Sequence, residues 1–217
     1  MEKNTNYQIK IYSFFKDQQS EYSEIKKIKT ANFNTNIDSV ILNETERKNE
    51  FLEKLYEWTG YNNMILIYRG TRDGCGANIF HNKCDNQGPN ICLCKNEKDN
   101  IFGGYSSISW TSNGGYKPAN GNFLFTLTNI HNTSPTKYPN TKNQDKAVYN
   151  HPNYGPIFGN GHDLGIYDNY LNNKNSWASL GGAYPDILGK GNSIFSGDLN
   201  SEYFKLKEFE VFKLLNQ

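Results

Sequence analysis

Apolar positions along this chain recur first at helical spacing and then at strand spacing. Phe51, Leu52, Leu55, Tyr56 and Trp58 fall roughly where one stripe of a helix would pack against a core. Asn43, with Glu46 three residues on, has the arrangement of a capping box at the start of that helix, and Gly60 supplies its stop. Met64 to Tyr68 is a five-residue apolar run, too short for a helix and suited to a buried strand. Ile79, Phe80 and Cys84 share a helical face, which predicts a short helix over Gly76 to Cys84. Beyond Pro89 the pattern predicts strands at Ile91–Lys95, Ile101–Trp110, Asn122–Thr128, Ala147–Asn150, Leu164–Tyr167 and Tyr203–Leu214. Alternation in the last puts Phe204, Leu206, Glu208 and Glu210 on one face, and Lys205, Lys207, Phe209 and Val211 on the other. Turns rich in Gly, Asn, Asp and Pro separate these strands, as in an antiparallel sandwich. The class is α+β with β dominant.

Residues 1–38 differ from the rest. Tyr7, Ile9 and Ile11 alternate with Gln8 and Lys10 as a short strand would, and the charged stretch Gln18 to Thr30 suits a frayed helix or the end of an upstream coiled coil. The expected organisation is an N-terminal extension over 1–38 and a domain over 39–217.

Two glycine pairs stand out. Gly103 and Gly104 interrupt an otherwise strand-forming run, where glycine weakens a strand unless another chain must approach closely or the sheet must bend. They are expected to let two layers of sheet close on each other. Gly159 and Gly161 bracket a turn that ends in His162-Asp163.

Composition narrows the function classes. The 217 residues carry a formal net charge of +1, spread along the chain, which lacks the clustered basic face of a nucleic-acid binder. Aromatic residues make up 14% of the chain, enough to fill a sandwich core at roughly 150–250 Å² each. The frequent asparagines fit the codon bias of an AT-rich genome and are expected to enrich the polar surface. No signal-peptide-like stretch opens the chain and no apolar run is long enough for a membrane span, so a cytoplasmic setting with free Cys75, Cys84, Cys92 and Cys94 is expected.

Each candidate for chemistry has a plainer alternative. Cys92 and Cys94 point to one side of a strand and, with Cys75 and Cys84, could supply four zinc ligands. Their spacing lacks the paired short loops of structural zinc sites, and small buried residues are the preferred reading. His162-Asp163 invites an acid–base role with Asp73 or Glu210, yet no nucleophile elbow, HExxH or phosphate-binding loop accompanies it. A histidine held by backbone hydrogen bonds beneath a tight turn is preferred. Arg69 and Arg72 around Gly70, followed by Asp73-Gly74, could bind an anion at the start of the second helix, or Asp73 could satisfy amides at that junction. Cys84 could be an oxidation-sensitive thiol, but its place beside Phe80 favours burial.

The series Ile67-Tyr68-Arg69-Gly70-Thr71-Arg72-Asp73-Gly74, Phe80 to Pro89, Ile101 to Trp110, Tyr154 to Leu164 and Phe204 to Phe212 resembles the TLDc domain. The resemblance covers roughly Ser39 to Gln217. It implies a two-sheet antiparallel β-sandwich flanked by short helices. It also implies Asp73, Gly74, Cys84, Gly103, Gly104, Gly159, Gly161, His162, Asp163 and Glu210 as recurrent positions with a mainly structural role. TLDc proteins protect cells from oxidative damage, and several bind and regulate the vacuolar proton-pumping ATPase, with no catalytic mechanism established for the family. The chain departs from the family at Cys75 and Gly76, where an aromatic and then Ser often follow Asp-Gly. It departs again at Cys92 and Cys94, which stand at usually aliphatic positions, and in the Asn/Lys-rich region Ser134 to Val148.

The resulting expectation is a non-enzymatic interaction domain without cofactor or metal. Its expected partner is the vacuolar ATPase, at the cytosolic face of acidic organelles, with no nucleic acid and no membrane insertion. The rival expectations are a thiol-based peroxide-handling enzyme using Cys84 or the Cys92/Cys94 pair, and a lectin-like ligand-binding sandwich.

Overall fold

The computed structural model describes residues 33–216 and, in the N-terminal stretch, the two-residue strands Tyr7–Gln8, Phe14–Phe15, Gln18–Gln19 and Lys27–Ile28. Two compact units result, Met1–Phe33 and Asn34–Gln217. In the first, Tyr7–Gln8 pairs antiparallel with Lys27–Ile28, and Phe14–Phe15 with Gln18–Gln19. Ile9, Ile11 and the rest of Gln18 to Thr30, on which the helix and coiled-coil expectations rest, lie outside the described residues.

The second unit is built on two six-stranded antiparallel sheets. Its strands are β1 (Asn63–Arg69), β2 (Asn90–Asn96), β3 (Ile101–Ser106), β4 (Gly115–Lys117), β5 (Phe123–Thr128) and β6 (Thr136–Pro139). They continue as β7 (Val148–Asn150), β8 (Ile157–Phe158), β9 (Leu164–Gly165), β10 (Ser176–Ala178), β11 (Tyr203–Phe204) and β12 (Leu206–Leu215). The first sheet runs β6-β5-β3-β2-β12-β1 and the second β11-β10-β9-β8-β7-β4. The helices are α1 (Val40–Asn43), α2 (Lys48–Thr59), α3 (Gly70–Asp73), α4 (Ala77–Cys84) and α5 (Ser193–Ser196).

One core lies between the sheets. Phe102, Leu124, Phe209 and Val211 of the first meet Val148, Phe158, Leu164 and Ala178 of the second. The other face of the first sheet is covered by α2, whose Phe51, Leu52 and Leu55 are fully buried and whose Trp58 packs on Phe123 and Phe125. Central strands covered on both faces explain why β2 and β5 read as nearly continuous apolar runs.

Gly104 faces the second sheet. A Cβ there would meet the Phe158 ring at 2.5 Å, so the missing side chain is what lets that ring sit against the strand. At Gly103 a Cβ would collide with the backbone carbonyl of Cys92 on the adjacent strand, a group that cannot swing aside. The expected closure of two layers is realised at Gly104, and Gly103 admits close approach within one sheet.

Several local expectations are corrected. Asn43 and Glu46 form no capping box: α2 starts at Lys48, and Asn43 ends α1. Ser39 is the side-chain cap instead, its Oγ accepting from the Leu42 amide at 3.0 Å. The strand from Ile101 stops at Ser106, because Trp110 turns inward to donate its indole N–H to Asn90 Oδ1 at 2.9 Å. The strand from Leu164 stops at Gly165, after which the Tyr167 amide donates to the Ser176 hydroxyl at 3.1 Å.

The C-terminal strand is broken at Lys205, and its register shifts between Leu206 and Glu208. That bulge reverses the alternation, so Phe204, Leu206, Phe209 and Val211 all join the inter-sheet core. Strands β4, β6, β8 and β10 went unanticipated because two to four residues carry too little periodicity to detect.

Gly104→Ala should destabilise the protein by about 1–3 kcal/mol through overpacking, and Gly103→Ala by more, because backbone must move. Gly161→Ala, with φ near 80° but open space around it, should lose only about 1–2 kcal/mol. Urea unfolding of the three variants checks this order.

Candidate functional site

The glycine turn is organised around Asp163. This side chain is fully buried. Its Oδ1 accepts from the amides of Gly181 and Gly182 at 2.8 and 2.7 Å, and its Oδ2 from Ala183 at 2.8 Å. Burial pushes its pKa above the usual carboxylate value, against the pull of the amides of Ala183, Gly182, Tyr184 and Gly181. Gly159, with φ 91°, leaves the space that Asp163 Oδ2 occupies, so aspartate and glycine are fitted to each other. Gly161 and His162 also take positive φ, at 80° and 68°.

His162 is held as expected by its backbone: its amide donates to Gly159 O at 3.2 Å and its carbonyl accepts from Trp177 Nε1 at 2.9 Å. Its ring lies among Tyr149, Trp177 and Tyr116 on the outer side of the second sheet, with centroid distances of 5.0, 5.9 and 6.2 Å. Burial lowers its pKa, and His151 adds to the effect.

A second buried carboxylate, Glu210, stands on β12. Ser39 Oγ donates to its Oε2 at 2.6 Å, while the Val40 amide and Arg69 Nε donate to its Oε1 at 2.9 and 2.8 Å. Burial raises its pKa, opposed by the bonds from Ser39, Arg69 and Val40. Arg69 reaches on to Asp38 at 2.7 Å, and its own amide donates to Asp73 Oδ2 at 2.9 Å. Asp73 and Glu210 are thus brought together around Arg69, while the Gly74 carbonyl accepts from the Tyr68 hydroxyl at 2.7 Å.

The anion-binding arrangement is not formed by these cations: Arg69 is engaged as described, and Arg72 holds Asp73 at 2.7 Å and keeps its carboxyl below the usual value. Asp73 does accept one amide at the junction. The start of α4 is served from elsewhere, by Asp168 Oδ1 accepting from the Ala77 amide at 2.7 Å.

A family model for the TLDc domain matches residues 35–215. The chain belongs to the TLDc family. A search of curated proteins finds no match to it. The TLDc fold places its remaining family positions apart from these two carboxylates. Cys84 is fully buried in the inter-sheet core with Cys92 and Cys94, and burial raises all three thiols. Cys75 is half-buried, its Sγ 3.0 Å from Asn169 Oδ1. His162 stands on the outer side of the second sheet, away from the core thiols. Among the described residues no group of three His, Cys, Asp or Glu side chains could hold a metal ion. No helix among them is long and apolar enough to cross a membrane.

Sequence reasoning missed residues whose partners are remote in the chain. His81 Nδ1 meets Asp85 Oδ1 at 2.8 Å, and its Nε2 faces the carbonyls of His151 and Tyr154 at 3.0 and 2.9 Å, so Nε2 is the donor there. Asn96 Nδ2 donates to the carbonyls of Phe195 and Ser196, while its Oδ1 accepts from the Lys98 and Asn100 amides. Gly70 lies directly under Tyr170, whose hydroxyl bonds that of Tyr68 at 2.8 Å. The asparagines are not all surface, since Asn90, Asn96, Asn122 and Asn150 are buried.

Arg69→Ala would leave Glu210 buried without its cation, at a loss of roughly 3–5 kcal/mol. Adding Glu210→Gln should recover part of it, giving a coupling above about 1 kcal/mol in a double-mutant cycle measured by chemical denaturation.

Proposed function

We propose that this TLDc chain is a non-enzymatic protein-interaction domain that docks on the vacuolar proton-pumping ATPase, shifts it between assembled and disassembled states, and thereby supports resistance to oxidative stress. In this reading residues 39–217 carry the docking function, residues 1–38 are an extension, and the chain works at the cytosolic face of acidic organelles. The family positions Asp73, Gly74, Cys84, Gly103, Gly104, Gly159, Gly161, His162, Asp163 and Glu210 hold the fold and do not react.

The observation that carries the reading is the occupation of the Asp163 carboxylate. A side chain that accepts three backbone amides at 2.7–2.8 Å is committed to the loop after β10. Family membership supplies the choice of partner.

The full chain, immobilised and exposed to native extract of its own cells, should retain subunits of the proton pump. Recovery of no pump subunit contradicts the proposal. Native iodoacetamide labelling should modify Cys75 and spare Cys84, Cys92 and Cys94. Rapid labelling of any of those three would favour thiol chemistry instead.

A further inference from the structure

The second sheet carries a row of outward residues that crosses all six strands. Direct cross-strand partners link Tyr116 to Tyr149, Tyr149 to Ile157, Ile157 to Gly165, Gly165 to Trp177 and Trp177 to Tyr203. The inward neighbours Val148, Phe158, Leu164 and Ala178 fill the core. The outward row is different in kind, because its aromatic members remain half-exposed and Tyr203 keeps 49% of its surface in solvent.

At the Tyr203 end of this row the surface sinks into a cavity of about 430 Å³ lined by Tyr154, Tyr167, Asn175, Trp177, Glu202 and Tyr203, among others. The Trp177 indole is seated, not loose. It lies over Gly165, where a Cβ would run into three of its ring atoms, and its N–H is fixed on the His162 carbonyl at 2.9 Å. The indole is thus backed by the glycine, and Trp177 lines the cavity. Tyr154 stands nearly perpendicular to both its neighbours, at 87° to Trp177 and 73° to Tyr167.

The charge at the cavity has one sign, whereas at the far end of the row Lys146 Nζ stands 5.4 Å from the Tyr116 ring centroid. Glu202 lines the cavity, no Lys or Arg does, and no hydrogen bond or ion pair within the described residues engages the Glu202 carboxylate. Lys174, next to Asn175 in sequence, is paired with Glu97 at 3.2 Å. Ring faces carry negative charge density, so a carboxylate lining a cavity together with Trp177, Tyr154, Tyr167 and Tyr203 favours an organic cation. A guanidinium fits better than an ammonium, because it is flat enough to stack on indole and can meet a carboxylate with two N–H groups at once.

We propose that this cavity takes the guanidinium of an arginine carried on a basic segment of a partner protein, stacked on Trp177 and paired with Glu202. The proposal rests on the reading of the chain as an interaction domain and names the surface and the partner chemistry that such a domain would use.

The test is titration of the full chain with a capped Gly-Arg-Gly-Arg-Gly peptide and with its isosteric citrulline counterpart, followed by calorimetry. The arginine peptide should bind and the citrulline peptide should bind at least about tenfold more weakly. Glu202→Gln should weaken arginine-peptide binding by about tenfold and flatten its salt dependence. Trp177→Phe, which keeps a smaller and weaker ring face, should reduce the affinity measurably but less than Glu202→Gln, and Tyr203→Ser, at a half-exposed position, should reduce it as well.

Equal binding of the two peptides, absence of binding, or an unaffected Glu202→Gln variant overturns the proposal. Binding of a neutral oligosaccharide with neither peptide bound overturns it in favour of a saccharide platform. These peptides contain no part of the proton pump, so their result decides the cavity whatever pump capture gives. Pump capture with no peptide binding overturns the cavity alone, and peptide binding with no pump capture overturns only the choice of pump.

Discussion

The bond set of the Asp163 carboxylate is the constraint on which the second sheet depends. Three amides from consecutive residues, Gly181, Gly182 and Ala183, point at one buried side chain. Ala183 is buried, so its amide would be orphaned without the carboxylate at a cost of about 1–3 kcal/mol, whereas the Gly181 amide also reaches the Tyr184 carbonyl at 3.0 Å. The fit demands a glycine at position 159, where the carboxylate fills the place of a Cβ, and another at 182, where a Cβ would meet the Asn160 carbonyl. Asp163 immediately precedes β9 and also accepts the Ser179 amide on its own carbonyl, so the loop after β10 is tied to the start of β9. Glu210 does the equivalent for the first sheet, joining β12 to β1 through Arg69 and to the start of α1 through Ser39.

These ties explain what could be read from sequence and what could not. Helix α4 was legible because Phe80 and Cys84 recur at helical spacing, and β2 and β5 because covered strands are apolar throughout. The glycine pair at 103–104 was legible because glycine inside a strand needs a reason, and Phe158 is that reason at Gly104. The partners of Asp163 were not legible, since nothing near His162-Asp163 in the chain points 18 to 20 residues ahead. The Asp168 bond to α4 hides for the same cause at a separation of 91 residues. The bulge after Leu206 was hidden because alternation is a property of an unbroken ladder, and one extra residue reverses it without changing composition. Asparagine abundance concealed a further layer: the side chains of Asn90 and Asn96 bracket buried backbone and indole groups that no apolar residue could satisfy.

The division of labour between the two sheets follows. The first is covered on both faces, by α2 and by the second sheet. The second has one face in the core and presents Tyr149, Trp177 and Tyr203 outward, at least partly exposed. A TLDc domain of this construction has its buried carboxylates Asp163 and Glu210 engaged internally and aromatic rings of its second sheet partly exposed, which is the distribution expected of a molecule that works by contact.

Native-state hydrogen exchange on the amides of Gly181, Gly182 and Ala183 tests this account most directly. If the Asp163 carboxylate is committed to them, all three should exchange only through large openings, with protection close to that of β2 and β5, and Asp163→Ala should release them selectively. Exchange of the three amides at the rate of an exposed loop in the unmodified protein would contradict it, because the carboxylate would then be free for other chemistry.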